Sequence, residues 1–444
     1  GDIRKQTLRE LWTGPEIAGL RQNVKNCTTP CIQDCYLRRR SDSALRIARG
    51  VSRLAWDQLR KRYTTRKLEA PVYADSVLSL QLSDTLDLAT SWKRVPMERF
   101  ENLVKGSPEP FSAVREDPFR FYEFRNRGHL QFNRGFLDFD VLKAVVQDAQ
   151  RGDHSWGTVR LAWEGEPLLH PQMEEILKWL VEAWRTKPFA HRIEIPTNAT
   201  LLNHNYCRIT ADAGDVPITW VLEVDAFDTD SFLAHHVEPL WDRVLDNVNF
   251  LLKEVQEKKP RQLRLVLQDT VTGATGSDVV RFRDFWTAHL ATYGLTAQVA
   301  GGGLPDGAGH WLHFRRPDPP DLEGLRGAQG IYGEALGALG LPSPPADEGR
   351  RTCAAYWKTP TVSWDGKVLL CTVDTQQTMK VGEVTHDSLG ESWWRGDRMA
   401  QIRRQALRED FAGLSLCRSC QFPYSPNASA ISRQELQAWS DADR

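Results

Sequence analysis

The sequence has no long apolar run, no excess of charge and no even spread of cysteines, and each lack narrows the options. Residues 176–184 are strongly apolar but are broken by Lys178 and Glu182. Nothing approaches the roughly 18 to 20 apolar residues of a spanning helix, so no membrane segment is expected. Lys and Arg total 57 against 58 Asp and Glu, for a net charge of -1. Global charge therefore attracts neither nucleic acid nor an anionic lipid surface. No basic, then apolar, then small-residue pattern follows Gly1, which predicts no secretory leader and a cytoplasmic chain. With 444 residues and 41% hydrophobic content, the chain can form two to four packed units that need no disulfide staples.

What is present is an uneven cysteine pattern. Of eight cysteines, Cys27, Cys31 and Cys35 form one knot, Cys207 stands alone, and Cys353, Cys371, Cys417 and Cys420 form a second group. A disulfide framework is one explanation, but a long chain with abundant core residues has little need of it, and metal ligation is favoured. Four thiolates suit a 4Fe-4S cluster. They also suit zinc. Asp365-Gly366 is a hairpin turn signal, which would fold Cys371 back towards Cys353, with Cys417 and Cys420 supplied by a loop. Cys207, in a helical stretch after Asn203, reads as a packed core thiol.

The opening of the chain recurs near its end. Gly1-Asp2-Ile3, Thr7-Leu8, Glu10, Trp12, Gly14 and Leu20-Arg21 match Gly382-Glu383-Val384, Ser388-Leu389, Glu391, Trp393, Gly396 and Ile402-Arg403 with one residue of offset. A knot of cysteines follows each copy, which predicts an internal repeat and a chain that starts inside a first module. Between the copies, residues 43–62 read as a basic amphipathic linker helix. From about residue 76 to 300, strands expected at 77–82, 158–163, 192–195, 218–224 and 263–267 alternate with helices at 138–149, 172–184, 240–255 and 279–291. This order predicts a parallel sheet with helices outside it, as an open sheet or a partial barrel. Ligands meet such sheets at the carboxyl ends of strands. There Gly165 permits close backbone approach, Pro167 fixes a turn, and Glu166 and Asn198 offer polar groups. Rings such as Phe119 and Tyr122, interleaved with arginines over residues 93–135, are expected to cover the sheet rather than stack bases. Residues 301–349, rich in Gly and Pro, read as an extended connection with a short helix near 332–339 packed across the sheet edge.

The run Thr158 to Asn198 resembles radical SAM enzymes, with a strand, a Gly-Glu-Pro turn before Leu168-Leu169-His170-Pro171, a helix, and a strand ending in Thr197-Asn198. Val224-Asp225-Ala226 is similar to that family's Ser-x-Asp-Ala turn, with Glu223 where its serine is expected. From Arg351 the chain resembles the SPASM extension: Cys353, twelve residues, Gly366, four residues, Cys371, then Cys417-x2-Cys420. The resemblance implies a partial (β/α) barrel followed by a small iron-sulfur domain. It divides the chain into an upstream SPASM-like tail (1–40), linker helix (41–70), degenerate radical SAM barrel (71–300), connection (301–350), SPASM-like domain (351–425) and C-terminal tail (426–444).

The family's catalytic Cys-x3-Cys-x2-Cys is missing, since Thr85, Ala89 and Trp92 occupy that spacing. Cys27, Cys31 and Cys35 are one residue too widely spaced to replace it, and the resemblance assigns them to an auxiliary cluster completed by other ligands. The resemblance thus implies a non-radical scaffold, for substrate binding or electron relay, beside a catalytic radical SAM domain upstream or in trans, with a peptide or small molecule as substrate. Two alternatives stand. The barrel could bind S-adenosylmethionine through Gly165, Glu166, Pro167 and Asn198 and act as a radical enzyme, or the four C-terminal cysteines could be a zinc staple in an interaction module.

Overall fold

The computed structural model describes residues 76–83, 135–152, 155–163, 165–235, 240–271, 276–316, 322–342, 353–374, 377–384 and 388–420. Cys27, Cys31, Cys35, the linker helix, the segment 85–92 and residues 93–134 lie outside the described residues.

The first half of the described chain alternates strand and helix: β1 (Val77–Leu80), α1 (Phe139–Arg151), β2 (Trp156–Arg160), α2 (Met173–Thr186), β3 (Ala190–Thr197), α3 (His204–Asp212), β4 (Ile218–Glu223), α4 (Thr229–His235), α5 (Trp241–Lys258), β5 (Arg264–Thr270) and α6 (Gly276–Thr292). Then come β6 (Ala297–Gly301), β7 (His310–Arg315), α7 (Leu322–Ala338), α8 (Ala355–Lys358), β8 (Thr361–Val362), β9 (Lys367–Leu369), β10 (Lys380–Glu383), α9 (Asp397–Leu407) and α10 (Ser415–Ser419). The strands form one sheet in the order β10-β9-β8-β1-β2-β3-β4-β5-β7-β6. Every pairing from β8 through to β6 is parallel, and β8-β9-β10 are antiparallel. The expected mixed α/β class with a parallel sheet is borne out. None of the described helices is long and apolar enough to cross a membrane.

Local chemistry explains the helices. Asp138 caps α1 by accepting from the Asp140 N–H at 2.7 Å, and Leu142, Val145, Val146 and Ala149 then recur at helical spacing on its buried face. Asn203 caps α3 through the Tyr206 N–H at 3.0 Å.

The strands alternate in polarity, unlike those of a parallel sheet covered on both faces. Ile193, Ile195, Ile218, Trp220, Leu222, Leu265, Leu267, Leu312 and Phe314 join the helices in one core. The intervening residues fall on the opposite face, where strand register aligns them in rows. Ser79, Arg160, Glu194, Thr219 and Arg264 are consecutive partners across β1 to β5. Arg160 pairs with Glu194 at 2.8 Å, and Arg192 approaches the other oxygen of that carboxylate at 3.1 Å. A second row aligns Glu223, Gln268 and His313, joined at 3.3 and 3.1 Å. The face opposite this core therefore carries largely buried, hydrogen-bonded polar rows.

Residues 301–349 hold more structure than the expected connection. β7 follows β6 in the chain yet lies between β5 and β6, parallel to both. Only Leu312 and Phe314 of His-Trp-Leu-His-Phe-Arg join the helix-side core, so the strand carries too short an apolar pattern to announce itself. The helix expected near 332–339 is the end of the longer α7. Its Tyr332 hydroxyl donates to the Phe314 carbonyl at 2.7 Å and accepts from the Gly302 N–H, which ties the helix to the sheet edge as expected.

Candidate functional site

Cys353 lies just before α8, with Ala354 as that helix's N-cap. After β8 the chain reverses through Ser363-Trp364-Asp365-Gly366, where Gly366 takes a φ of 80° and its N–H donates to the Ser363 carbonyl at 2.8 Å. This is the expected Asp-Gly hairpin, and β9 delivers Cys371 to its far end. A turn closed by the Asp374 N–H on the Cys371 carbonyl at 3.3 Å follows. Asp374 is buried, and its carboxylate accepts from the Thr378 N–H, the Thr378 hydroxyl and the Met379 N–H at 2.7 to 2.9 Å. Three donors on one carboxylate hold that turn rigid. Cys417 sits within α10, and Cys420, its C-cap, donates its N–H to the Cys417 carbonyl at 3.4 Å.

These four cysteines share one neighbourhood. Burial pushes the Cys371 thiol up, and the nearby sulfurs of Cys353, Cys417 and Cys420 push it further. The Val373 N–H, hydrogen-bonded to the Cys371 sulfur, acts the other way. None of the five described cysteines is in a disulfide. Among the described residues, no three His, Cys, Asp or Glu side chains converge closely enough to hold a single ion. Four thiols in one neighbourhood are a donor set that suits either an iron-sulfur cluster or zinc.

Two residues at this site give no signal in the sequence. Tyr356, on α8 and 3% exposed, hydrogen-bonds to the Cys417 sulfur; burial, then Cys417, pushes its hydroxyl up. Arg403, 5% exposed, donates to the carbonyls of Tyr356 and Trp393 at 2.9 Å and of Trp394 at 3.2 Å. Its guanidinium lies 5.7 Å from both Trp ring centroids. The internal repeat had marked position 403, but only as half of an Ile-Arg pair without a role. Leu389, Trp393 and Ile402, also shared by the repeat, are all buried, so in this copy the repeated residues are the module's core.

The barrel-rim residues also come together. Gly165 adopts a φ of 88°, a conformation open to glycine, and Pro167 starts a short 3-10 turn. Glu166 spans the gap between strand ends: one oxygen accepts from the Leu168 N–H at 3.1 Å and the Thr197 hydroxyl at 2.9 Å, the other from the Asn198 N–H at 3.1 Å. Burial pushes its carboxyl up to about 7. The Asn198 side-chain oxygen accepts from the Thr200 N–H and hydroxyl at 3.0 and 2.6 Å. Both side chains, expected to offer polar groups to a ligand, are thus engaged in holding the rim. From the same rim, the Trp163 indole donates to the Thr372 carbonyl at 2.7 Å, next to Cys371. Cys207 is fully buried in α3, and burial pushes its thiol up to about 12, as expected of a packed thiol.

Comparison with known proteins agrees with the C-terminal site. Residues 353–421 match the SPASM family, an iron-sulfur cluster-binding domain. No curated protein matches. Among solved structures, the chain is similar to Streptococcus suis SuiB bound to precursor peptide SuiA, at 14% identity over 89% of this chain and 78% of that one, with a TM-score of 0.46. It is also similar to anSMEcpe with bound AdoMet and Cp18Cys peptide, at 12% identity, 83% and 95% coverage and a TM-score of 0.43. A third is BtrN in complex with AdoMet and 2-DOIA, at 13% identity, 79% and 94% coverage and a TM-score of 0.38. The resemblance to the SPASM extension read from the cysteine spacing is borne out by this match of residues 353–421 to that iron-sulfur cluster-binding domain.

Proposed function

We propose that this is a radical SAM/SPASM-type protein that carries an auxiliary 4Fe-4S cluster on Cys353, Cys371, Cys417 and Cys420 but generates no radical in its own barrel. It would act as a substrate-binding or electron-relay scaffold beside a catalytic radical SAM domain, upstream or in trans. The observation that carries this reading is the match of residues 353–421 to an iron-sulfur cluster-binding domain, with Cys353, Cys417 and Cys420 near Cys371, beside a parallel sheet whose first strand is followed by no cysteine before Cys207. When bound, the cluster would supply one-electron chemistry; the chain's own residues hold its ligands and shield them. The rim and the polar inner face would then hold a peptide or small molecule. SuiB and anSMEcpe, both solved with peptides bound, make a peptide the natural first probe.

Iron and sulfide analysis of anaerobically purified protein tests this. About four irons per chain are expected, lost with Cys371→Ala and retained with Cys207→Ala. Equal behaviour of the two variants would sink the proposal. Zinc in place of iron would establish the staple. One observation favours a second reading: Gly165, Glu166, Pro167 and Asn198 do converge at two strand ends, as a barrel still binding S-adenosylmethionine would require. Formation of 5′-deoxyadenosine after reduction would establish that activity, and a flat calorimetric titration with S-adenosylmethionine would remove it.

A further inference from the structure

We propose that the sheet face opposite the helix-side core holds the carboxylate of an acidic ligand between Arg264 and the Thr219 hydroxyl, below the rim that carries Glu166 and Asn198. The proposal rests on the reading of that face as the place where a ligand lies, and it adds the chemical class of the ligand.

Strand register aligns Thr361, Ser79, Arg160, Glu194, Thr219 and Arg264 as consecutive partners from β8 to β5, so their side chains share one face. Thr361, Ser79 and Thr219 are each at most 1% exposed. Among the described residues, none of these three hydroxyls meets a hydrogen-bond partner. A buried hydroxyl without a partner is costly, and such groups are few in native proteins. Three in one row point to a ligand that supplies their partners.

The cations decide where the ligand's charge sits. Arg160 and Arg192 occupy the two oxygens of Glu194 at 2.8 and 3.1 Å, so Ser79 stands beside a guanidinium that already has its counter-ion. Arg264 differs. It is half-buried and donates to the Asp306 carbonyl at 2.8 Å, yet among the described residues no carboxylate lies within ion-pair distance of it. Burial, then the nearby Arg192, pushes its guanidinium down from its ordinary value. Thr219 is its partner on the adjacent strand, about 4.8 Å away, so one carboxylate can accept from both. Among the described residues, the guanidiniums of Arg160, Arg192 and Arg264 face the carboxylates of Glu194 and Asp306, leaving one positive charge. A single carboxylate neutralises it, whereas a phosphate dianion overshoots. Two residues further along the strands, Val221, Val266 and Trp311 align on the same face. Val221 and Val266 are buried but lie outside the helix-side core. Their row, about 6.6 Å deep along the strand, suits a carboxylate on a short apolar stem.

Calorimetric titration of the full chain with N-acetyl-Gly-Glu-Gly-amide, its Gln counterpart, butyrate and inorganic phosphate tests this. The Glu peptide should bind at least about tenfold more tightly than the Gln peptide. Thr219→Val and Arg264→Gln should each weaken the Glu peptide by about tenfold and leave the Gln peptide unchanged, and Thr219→Ser, which keeps the hydroxyl, should restore binding. Because the Thr219 hydroxyl has no partner in the free chain, Thr219→Val should unfold at an unchanged or higher temperature, which loss of a structural hydrogen bond would not allow. Butyrate binding as tightly as the Glu peptide would assign the site to free carboxylic acids, and weaker butyrate to an acidic peptide side chain. Equal affinity for the Glu and Gln peptides, or tighter binding of phosphate, would overturn the carboxylate assignment while leaving the face as a ligand site. A chain that binds none of the four probes would overturn the reading of the face as well. Should the Val variant fail to fold, Arg264→Gln decides alone, and undiminished affinity for the Glu peptide overturns the proposal.

Discussion

Glu166 shows how one buried group couples the barrel rim to solvent conditions. Its carboxyl is pushed up to about 7 by burial, against an ordinary value of 4.5. An acid that holds its proton more tightly folded than unfolded favours folding at low pH, and that contribution is lost as pH rises from about 4.5 through about 7. The ionised form then costs up to about 3 kcal/mol. We expect Glu166→Gln to remove this slope in denaturant unfolding measured across the window; a variant with an unchanged profile would refute the assignment. Arg403 carries the second prediction at this scale. Its removal takes a donor from three carbonyls, two of them buried, so Arg403→Met should cost about 3 kcal/mol and release iron along with stability. Arg403→Lys should fail to rescue either, because one ammonium lacks the planar fork of donors. Glu166 was legible as a rim residue because Gly165 and Pro167 flank it. That its carboxylate would be consumed by Thr197 and Asn198 was not, since the partners arrive from another strand.

The hairpin of β8 and β9 joins the cysteine site to the barrel. β8 extends the parallel sheet beside β1, the Trp364 N–H donates to the Gln81 side chain at 3.1 Å, and Trp163 holds the Cys371 turn through Thr372. Gly366 takes its φ of 80° in that hairpin, so Gly366→Ala should destabilise the module by about 1 to 2 kcal/mol. Gly366→Asn should cost less, and chemical unfolding read from tryptophan fluorescence would rank the two. Trp163→Phe should keep the packing and lose one hydrogen bond, about 1 kcal/mol, and speed iron loss to a chelator if the turn is what shields the cluster. The Asp-Gly turn was readable because its backbone demand is local. β7 was not, because a strand with only Leu312 and Phe314 on the core side is defined by the neighbours it pairs with.

Across the molecule, the cysteine domain also acts as the cover of the sheet's first edge. Besides the β8–β1 pairing, the Gly390 N–H donates to Asp148 of α1 at 2.9 Å, and Trp394 stacks on Trp156 of β2 at 5.8 Å. A chain cut after Pro342 would leave β1 as an unpaired edge with exposed apolar neighbours, and such edges associate. We expect that fragment to elute as aggregate on size exclusion where the full chain does not; a well-behaved fragment would show that the two parts are independent. The sequence by itself determined which residues could ligate a cluster, where the main helices and strands lie, and that no cysteine follows β1 before Cys207, because ligand chemistry, caps and periodicity are written within a few residues. Only the tertiary structure decided that Cys353, Cys417 and Cys420 come near Cys371, that β7 enters between β5 and β6, that the inner face forms hydrogen-bonded polar rows, and that Tyr356 and Arg403 lie beside the cysteines. Those facts depend on strand register and chain closure between distant segments, which no local pattern encodes.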